Sequence, residues 1–254
     1  MRIHTARLTA GLLFACALTA THISNAASPT TAPTASTASS LEAEQEAAFK
    51  AAKAVQKAGP ADITLRDQAH LKLPAGYIWV PTPAAAQLMR SMGNRTDDTF
   101  IGAIFPADDG DWMAVVKFVK EGYIKDDDAK DWNADELLTS LKEGTEAANE
   151  ERAKRGIPGI EVTGWAQKPQ YDAATHRLVW SALSKKKGSD GGNPGVNYNT
   201  YALGREGYLS LNLITNANDL EKYKPDATQL LGALQYDEGK KYADFNASTD
   251  KVPA

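Results

Sequence analysis

The sequence predicts an α+β fold in which helices flank an antiparallel sheet. Short runs rich in apolar and β-branched residues follow one another closely, with turn-forming residues between them, as in antiparallel hairpins. Two longer segments instead repeat apolar residues at helical spacing. The segments alternate as strands, helix, strands and helix, an order typical of one antiparallel sheet with helices laid against it.

Residues 1–26 have the features of an export signal. A basic start is followed by an apolar run at 8–20 and by small residues before a predicted cleavage position after Ala26. The apolar run is shorter than the ~20 residues that a membrane-spanning helix needs, and the rest of the chain contains no longer one. We therefore expect a periplasmic or secreted protein, with or without a membrane association, whose mature chain lacks a transmembrane helix.

Cleavage at that position changes the chemistry available to the mature chain. The remaining 228 residues have a net charge of −6 instead of −4, because Arg2 and Arg7 leave with the signal. Such a chain is a poor binder of nucleic acid, which requires clustered cations. Cys16 is the single cysteine, so the mature chain has no disulfide and no thiolate ligand. A lipoprotein cleavage box at Cys16 is the rival interpretation, which the bulky Phe14 disfavours.

Composition divides the mature chain into four segments. Residues 27–40 consist of Ser, Thr, Pro and Ala, cannot form a core and predict a disordered linker. Residues 41–58 favour an accessory helix with a thin apolar stripe, which docks loosely on the body or leaves it. A single α+β domain is expected over 59–250, followed by a tail at 251–254.

The first half of the domain predicts strands, a short helix and a hairpin. Pro83 occupies the first position of the helix, and Gly93 ends it. The predicted strands span 63–65, 69–73, 77–81, 99–105 and 112–120, with the last two forming the hairpin.

The second half contains the strongest predicted helix. Asn133 and Glu136 form a capping-box pattern at its start, and Gly156 ends it. Pro225 begins the final helix, and Gly204–Gly207 is a tight turn between two strands. The predicted strands span 161–167, 177–183, 198–203, 208–215 and 235–236.

Three stretches resemble a known bacterial family. They run from Tyr123 to Leu138, from Asn197 to Asn212 and from Tyr242 to Asp250. Together they are similar to the uncharacterised membrane-anchored family called domain of unknown function 2167. The resemblance implies export and an envelope location, and it brings no established activity or catalytic residues. Members typically continue into an apolar C-terminal helix, whereas this chain stops at Ala254, so we expect a soluble relative or one that relies on an envelope or membrane protein partner.

The order of elements has a second likeness. A long helix, antiparallel strands and a final helix leading to a short edge strand are similar to the αβα sandwich of the PsbP and Mog1 proteins. That fold mostly serves binding, but a fold alone does not determine function.

The residues needed for several kinds of catalysis are missing from the sequence pattern. No Gly-x-Ser-x-Gly motif is present, and no cysteine survives cleavage. The mature chain keeps two histidines, His70 and His176, which lie far apart and lack the spacing of a zinc site. We expect no cofactor.

The densest acidic patch is the best candidate for a metal or a carboxylate-based reaction. It lies just before the strongest predicted helix and does not match the pattern of a calcium loop. Acids at a helix start are stabilised by its dipole, which favours a capping role. A weak divalent-metal site and a carboxylate-dependent envelope hydrolase remain the alternatives, with these residues: Asp126, Asp127, Asp128 and Asp131.

A second candidate is an exposed recognition spot near the Gly-rich turn. It comprises Asn197, Asn199, Arg205 and Glu206. Turn geometry and sheet hydrogen bonding are the competing explanation for these residues. Taken together, the sequence predicts an exported, non-catalytic binding or accessory module of the envelope.

Overall fold

The structure, a computed structural model, describes residues 35–253, with side chains from residue 40 onward. The predicted export signal and most of the predicted linker lie outside these residues. The α-helices are Ala35–Val55 (α1), Ala84–Ser91 (α2), Asp126–Lys130 (α3), Ala134–Lys154 (α4) and Leu220–Gly232 (α5). The strands are Lys57–Ala58 (β1), Ala61–Leu65 (β2), Ala69–Leu73 (β3), Tyr77–Pro81 (β4), Phe100–Pro106 (β5), Met113–Val119 (β6), Ile160–Asp172 (β7), Arg177–Lys186 (β8), Gly195–Leu203 (β9), Tyr208–Asn216 (β10) and Leu234–Tyr236 (β11).

Two antiparallel sheets organise these strands. The main sheet has eight strands in the order β1-β4-β5-β6-β10-β9-β8-β7, and the small sheet has three in the order β11-β3-β2. Helices lie on both sides of the main sheet, so the predicted α+β class and the predicted sandwich are confirmed. Strands β6, β10 and β9 are interior to the main sheet, and nearly all of their residues are buried, so both faces of these strands are covered.

The two faces of the main sheet are built differently. On the front face, Leu209, Leu211 and Leu213 of β10 join a single apolar core beneath α5 and the small sheet. The back face instead has two separate apolar clusters. One lies beneath α1 and α2 and includes Met89 and Val115, and the other lies beneath α3 and α4 and includes Trp180.

The structure corrects the bounds of several predicted elements. Helix α1 begins at Ala35, so the end of the predicted linker is helical, and Ala48 and Ala52 are buried against the back-face cluster of α2. The accessory helix is therefore docked on the body. Pro225 lies inside α5 rather than at its start. Within residues 35–253, no helix combines the length and apolar character needed to cross a membrane.

Candidate ligand-binding row on the main sheet

A row of polar side chains separates the two apolar clusters of the back face. We call it the polar row: Lys117, Asn197, Asn199, Ser210 and Asn212. The pairing register places these residues side by side, because Asn212 faces Asn199, and Ser210 faces Lys117. Directly opposed residues on one face lie ~5 Å apart, and diagonal neighbours ~7–8 Å apart. The row therefore crosses three interior strands, β6, β10 and β9.

The amides of the polar row are buried without full hydrogen bonding. Asn197 is 0% exposed, and neither its Nδ2 nor its Oδ1 atom has a hydrogen-bond partner among the described residues. The Oδ1 atom of Asn212 is likewise buried and unpartnered there. Asn199 donates from Nδ2 to the carbonyl of Asn197 at 3.3 Å. A buried polar group without a partner costs about 1–3 kcal/mol, so the unpartnered atoms of Asn197 and Asn212 lower the stability of the domain.

Lys117 adds a buried positive charge to the row. Its residue surface is 8% exposed, and burial lowers the pKa of its ammonium group, while the negative charge of Asp97 acts in the opposite direction. Burying a charge is unfavourable unless other groups stabilise it. The row thus combines amide donors and acceptors with a cation.

Lys117→Met is expected to remove the pH dependence that burial of the Lys117 ammonium gives to the stability of the protein. The pKa of Lys117 is lower in the folded state than its ordinary 10.5, so the unfolded chain binds more protons. The wild-type protein therefore gains stability relative to the variant as pH rises towards about 10. Urea unfolding of both proteins across this range measures the difference, and a wild type that loses stability relative to the variant as pH rises would refute the argument.

Two arginines at the C-terminal end of α4, Arg152 and the capping residue Arg155, contact α1, α2 and the segment after α2. Arg152 Nη2 donates to Asn94 Oδ1 at 3.0 Å, and Arg155 Nη1 donates to the carbonyl of Arg90 at 2.6 Å. Arg155 Nη2 also lies 2.8 Å from both carboxylate oxygens of Glu44. We call Arg152 and Arg155 the arginine bridge. It links the helices over the two back-face clusters through side chains.

Asn149 on α4 is a buried amide with a structural role, because both of its polar atoms form hydrogen bonds. Its Oδ1 accepts from the Ile160 amide N–H at 2.8 Å, and its Nδ2 donates to the Ile160 carbonyl at 2.8 Å. The same Nδ2 donates to Glu146 at 3.2 Å. The Asn149 amide thereby bonds to backbone groups at the free edge of β7. The amide of Asn197 has no hydrogen-bond partner among the described residues.

The predicted exposed recognition spot is wrong in its geometry. Asn197 and Asn199 lie on an interior strand and are buried, while Arg205 and Glu206 lie in the turn at the end of β9. The alternation of a strand assigns its polar residues to solvent only when one face is open, and β9 is covered on both. The structure therefore places the two asparagines in the polar row and the two charged residues in a separate ion-pair network.

That network connects the C-terminal segment to the turn between β9 and β10. Arg205 pairs with both carboxylate oxygens of Asp250, through Nε at 2.7 Å and Nη2 at 2.8 Å. Glu206 is paired with Lys240 at 2.5 Å and with Lys120 at 3.1 Å. The bond from Arg205, together with an N–H bond from Asn246, holds the pKa of the Asp250 carboxyl well below its ordinary value.

Asp250→Asn is expected to remove an acid-sensitive part of the stability. A carboxyl whose pKa is lowered on folding contributes stability above its ordinary pKa of 3.8, and this contribution is lost as pH falls further. The melting temperature of the wild type should therefore drop more steeply than that of the variant below about pH 4. Asp190→Asn, on an exposed loop, is the matched control and should follow the wild type; equal slopes for all three would contradict the assignment.

The acidic patch forms hydrogen bonds within the protein. The hydroxyl of Tyr171 donates to Asp126 Oδ1, and the same oxygen lies 3.3 Å from Tyr242 Oη and from His176 Nδ1. The Tyr171 bond, then the histidine, keeps the pKa of the Asp126 carboxyl below its ordinary value. Partial burial and this bond raise the pKa of the Tyr171 hydroxyl. The His176 ring stacks on Tyr242 with centroids 3.9 Å apart.

The other acids of the patch do not join Asp126 around a common point. Asp127 is almost fully exposed and lies 3.6 Å from Lys130, one turn along α3. Among residues 35–253, no three His, Cys, Asp or Glu side chains are grouped so that they could hold a metal ion. Asp126, Asp127, Asp128 and Asp131 therefore remain a metal or catalytic site by prediction from the sequence alone. The predicted cap of the next helix is confirmed, since Asn133 Oδ1 accepts from the N–H groups of Asp135 and Glu136.

Sequence reasoning found two members of the polar row and missed the other three. The sequence predicts Asn197 and Asn199 as ligand-binding residues, whereas it gives no such indication for Lys117, Ser210 and Asn212. The available signal was the alternation of β10, where polar residues occupy alternate positions of a strand that lies between two others in the sheet. Only the pairing register shows that these positions adjoin those of β9.

Comparisons with known proteins place the chain in a sequence family. The profile of the family described as "Protein of unknown function (DUF2167)" matches residues 57–254. The sequence matches no curated protein. Similar solved structures include cyanobacterial PsbP (CyanoP) from Synechocystis sp. PCC 6803, with 11% identity, coverage of 72% of this chain and 91% of that chain, and a TM-score of 0.43. Another is the protein of unknown function PA94 from Pseudomonas aeruginosa, with 12% identity, coverage of 67% and 92%, and a TM-score of 0.25.

Proposed function

Since the chain belongs to the DUF2167 family of proteins of unknown function, we propose that it is a non-catalytic binding protein of the cell envelope, with the polar row as its ligand site. The observation that supports this proposal most is the pair of buried amides with unpartnered atoms, Asn197 and Asn212. Groups that lower stability and are nevertheless present in a protein interior are typical of functional sites.

The ligand we propose is small and polar. The row offers a donor at Asn197 Nδ2 and acceptors at Asn197 Oδ1 and Asn212 Oδ1, which lie between two apolar clusters. A few polar groups set among apolar side chains are typical of sites for small molecules, because the apolar part contributes affinity and the polar part fixes orientation.

The envelope location rests on the N-terminal segment. The basic start, the short apolar run and the small residues before Ala27 support export of the chain after cleavage. Fractionation of cells that produce the full chain tests this part, with the expected result of a shortened protein outside the cytosol. An uncleaved chain in the cytosol would refute it.

Native mass spectrometry tests the binding part. The protein is purified gently from envelopes, and its intact mass is compared with the mass after unfolding. We expect a non-covalent small molecule on a fraction of the wild-type protein and a loss of that fraction in Asn197→Ala/Asn212→Ala. Asn149→Gln, in which the amide is kept on α4, is the control and should retain the ligand. A bound mass that is unchanged by the double variant would place binding elsewhere.

A further inference from the structure

We propose that the C-terminal end of helix α1 binds an anionic lipid surface through exposed apolar side chains and lysines. We call this surface the helix-end patch: Phe49, Lys50, Lys53, Val55 and Lys57. The patch is on the outside of the protein, whereas the polar row is buried. The inference therefore goes beyond the proposed ligand and does not depend on it.

The apolar part of the patch consists of large side chains that remain in contact with solvent. Among the described residues, the large apolar side chains with the greatest exposure are Phe49, at 49%, and Val55, at 45%. Both belong to α1, and their separation of six positions corresponds to ~9 Å along a helix axis. Single exposed apolar residues are common on protein surfaces, but here both lie on the last two turns of one helix.

The apolar surface continues onto the adjoining edge of the main sheet. Strand β1 begins two residues after Val55, and its Ala58 is directly opposed to Ile78 on β4, which is opposed to Phe105 on β5. Ile78 and Phe105 are half-buried and pack against the cluster beneath α1 and α2. Directly opposed residues lie on the same face of a sheet. The end of α1 therefore adjoins an apolar margin on the back face.

The charge of the patch indicates the kind of partner. Lys50, Lys53 and Lys57 are exposed, and none of them forms an ion pair with another described residue. No acidic residue occurs between Glu46 and Asp62, although the whole chain has a net charge of −4. Lysines beside exposed apolar side chains fit a partner that is negatively charged at its surface and apolar beneath it. A bilayer with anionic headgroups has both properties.

Helix α1 presents this patch in a fixed position. Its other side is held by the body, because Ala48 and Ala52 are buried in the cluster shared with α2, and Arg155 bonds to Glu44. A surface that is formed before binding loses little conformational entropy when it binds. A nucleic acid shares the negative charge of a lipid surface but offers no apolar interior to Phe49.

Co-sedimentation with lipid vesicles tests the inference on the protein purified from envelopes. Vesicles of equal parts phosphatidylglycerol and phosphatidylcholine are compared with vesicles of phosphatidylcholine alone. We expect the wild-type protein to partition at least about tenfold more strongly into the anionic vesicles. This preference should weaken in ~0.5 M salt, which screens exposed charges.

Three variants assign the binding to the helix-end patch. Lys50→Gln/Lys53→Gln should lower partitioning into anionic vesicles at least about tenfold, because each lysine near such a surface contributes roughly a fivefold gain. Phe49→Ala should lower it about fivefold, since the ring loses its apolar contact with the lipid. Lys168→Gln/Lys186→Gln removes the same charge from exposed lysines of β7 and β8, at the opposite edge of the main sheet, and should bind as the wild type does.

Each outcome supports or overturns the inference. A loss in the two α1 variants that spares the control supports it. An equal loss in the control would indicate an effect of net charge, and an unchanged Phe49→Ala would remove the apolar contact; either result overturns it. So does equal partitioning into both kinds of vesicle, or failure of the wild type to sediment with anionic vesicles at ~1 mM lipid. None of these results changes the mass measured for a bound small molecule, so this inference and the proposed function fail separately.

Discussion

Asn149→Ala is expected to destabilise the protein by about 2–4 kcal/mol, whereas Asn197→Ala, at an equally buried asparagine, should cost less than ~1 kcal/mol. Removing Asn149 leaves the N–H and the carbonyl of Ile160 buried without partners, since both bond to its amide at 2.8 Å. Removing Asn197 deletes an amide whose polar atoms have no partner among the described residues. The lost side-chain volume is the same in both variants, so their difference isolates the hydrogen bonding.

Urea unfolding of both variants beside the wild type gives the two free-energy changes. The contrast matters because it distinguishes amides that stabilise the domain from amides that are available to a ligand. If Asn197→Ala proves as destabilising as Asn149→Ala, the amide of Asn197 has a structural role. The proposal of a ligand site in the polar row then loses its main support.

Gly207→Ala is expected to lower stability by about 3 kcal/mol, which corresponds to a fall of roughly 6–12 °C in melting temperature for a domain of this size. Gly207 closes the turn between β9 and β10 with a φ of +151°, where a side chain is disfavoured. A Cβ atom there would also lie 1.9 Å from the carbonyl oxygen of Val119, far inside contact distance. Relief of this overlap requires β6 and β10 to separate at their ends.

Gly192→Ala is the matched control for the turn variant. Gly192 lies in the loop between β8 and β9, and a Cβ atom would meet nothing within 4 Å. Its melting temperature should stay within about 2 °C of the wild type, since loop substitutions without contacts change stability little. Similar losses in both glycine variants would show that the effect does not come from the clash at Val119.

The fold class and the elements of the main sheet follow from local patterns. Strand alternation, turn residues and the Asn133 cap each act within a few residues, so the sequence alone indicates them. The small sheet could not be predicted in the same way. Its β2–β3 hairpin is local, but its third strand depends on the pairing of Leu234 on β11 with Leu71 on β3, and no local pattern specifies a partner so distant in sequence.

The sequence alone indicates only part of the candidate site, for a related reason. On β10, the leucines at alternate positions correctly indicate one core face, and the polar residues between them are expected to face solvent. The strand is instead covered on both faces, which turns Ser210 and Asn212 into interior residues. Burial of the second face depends on α1, α2, α3 and α4, which lie far from β10 in sequence. The juxtaposition of Asn212 with Asn199 therefore emerges only in the folded protein.

Side-chain amide resonances of the ¹⁵N-labelled protein test the central claim most directly. Between the protein purified gently from envelopes and the same protein after unfolding and refolding, the NH₂ signals of Asn197 and Asn212 should differ, while those of Asn149 on α4 stay in place. Shifts confined to surface amides, or equal shifts at Asn149, would contradict a ligand site in the polar row.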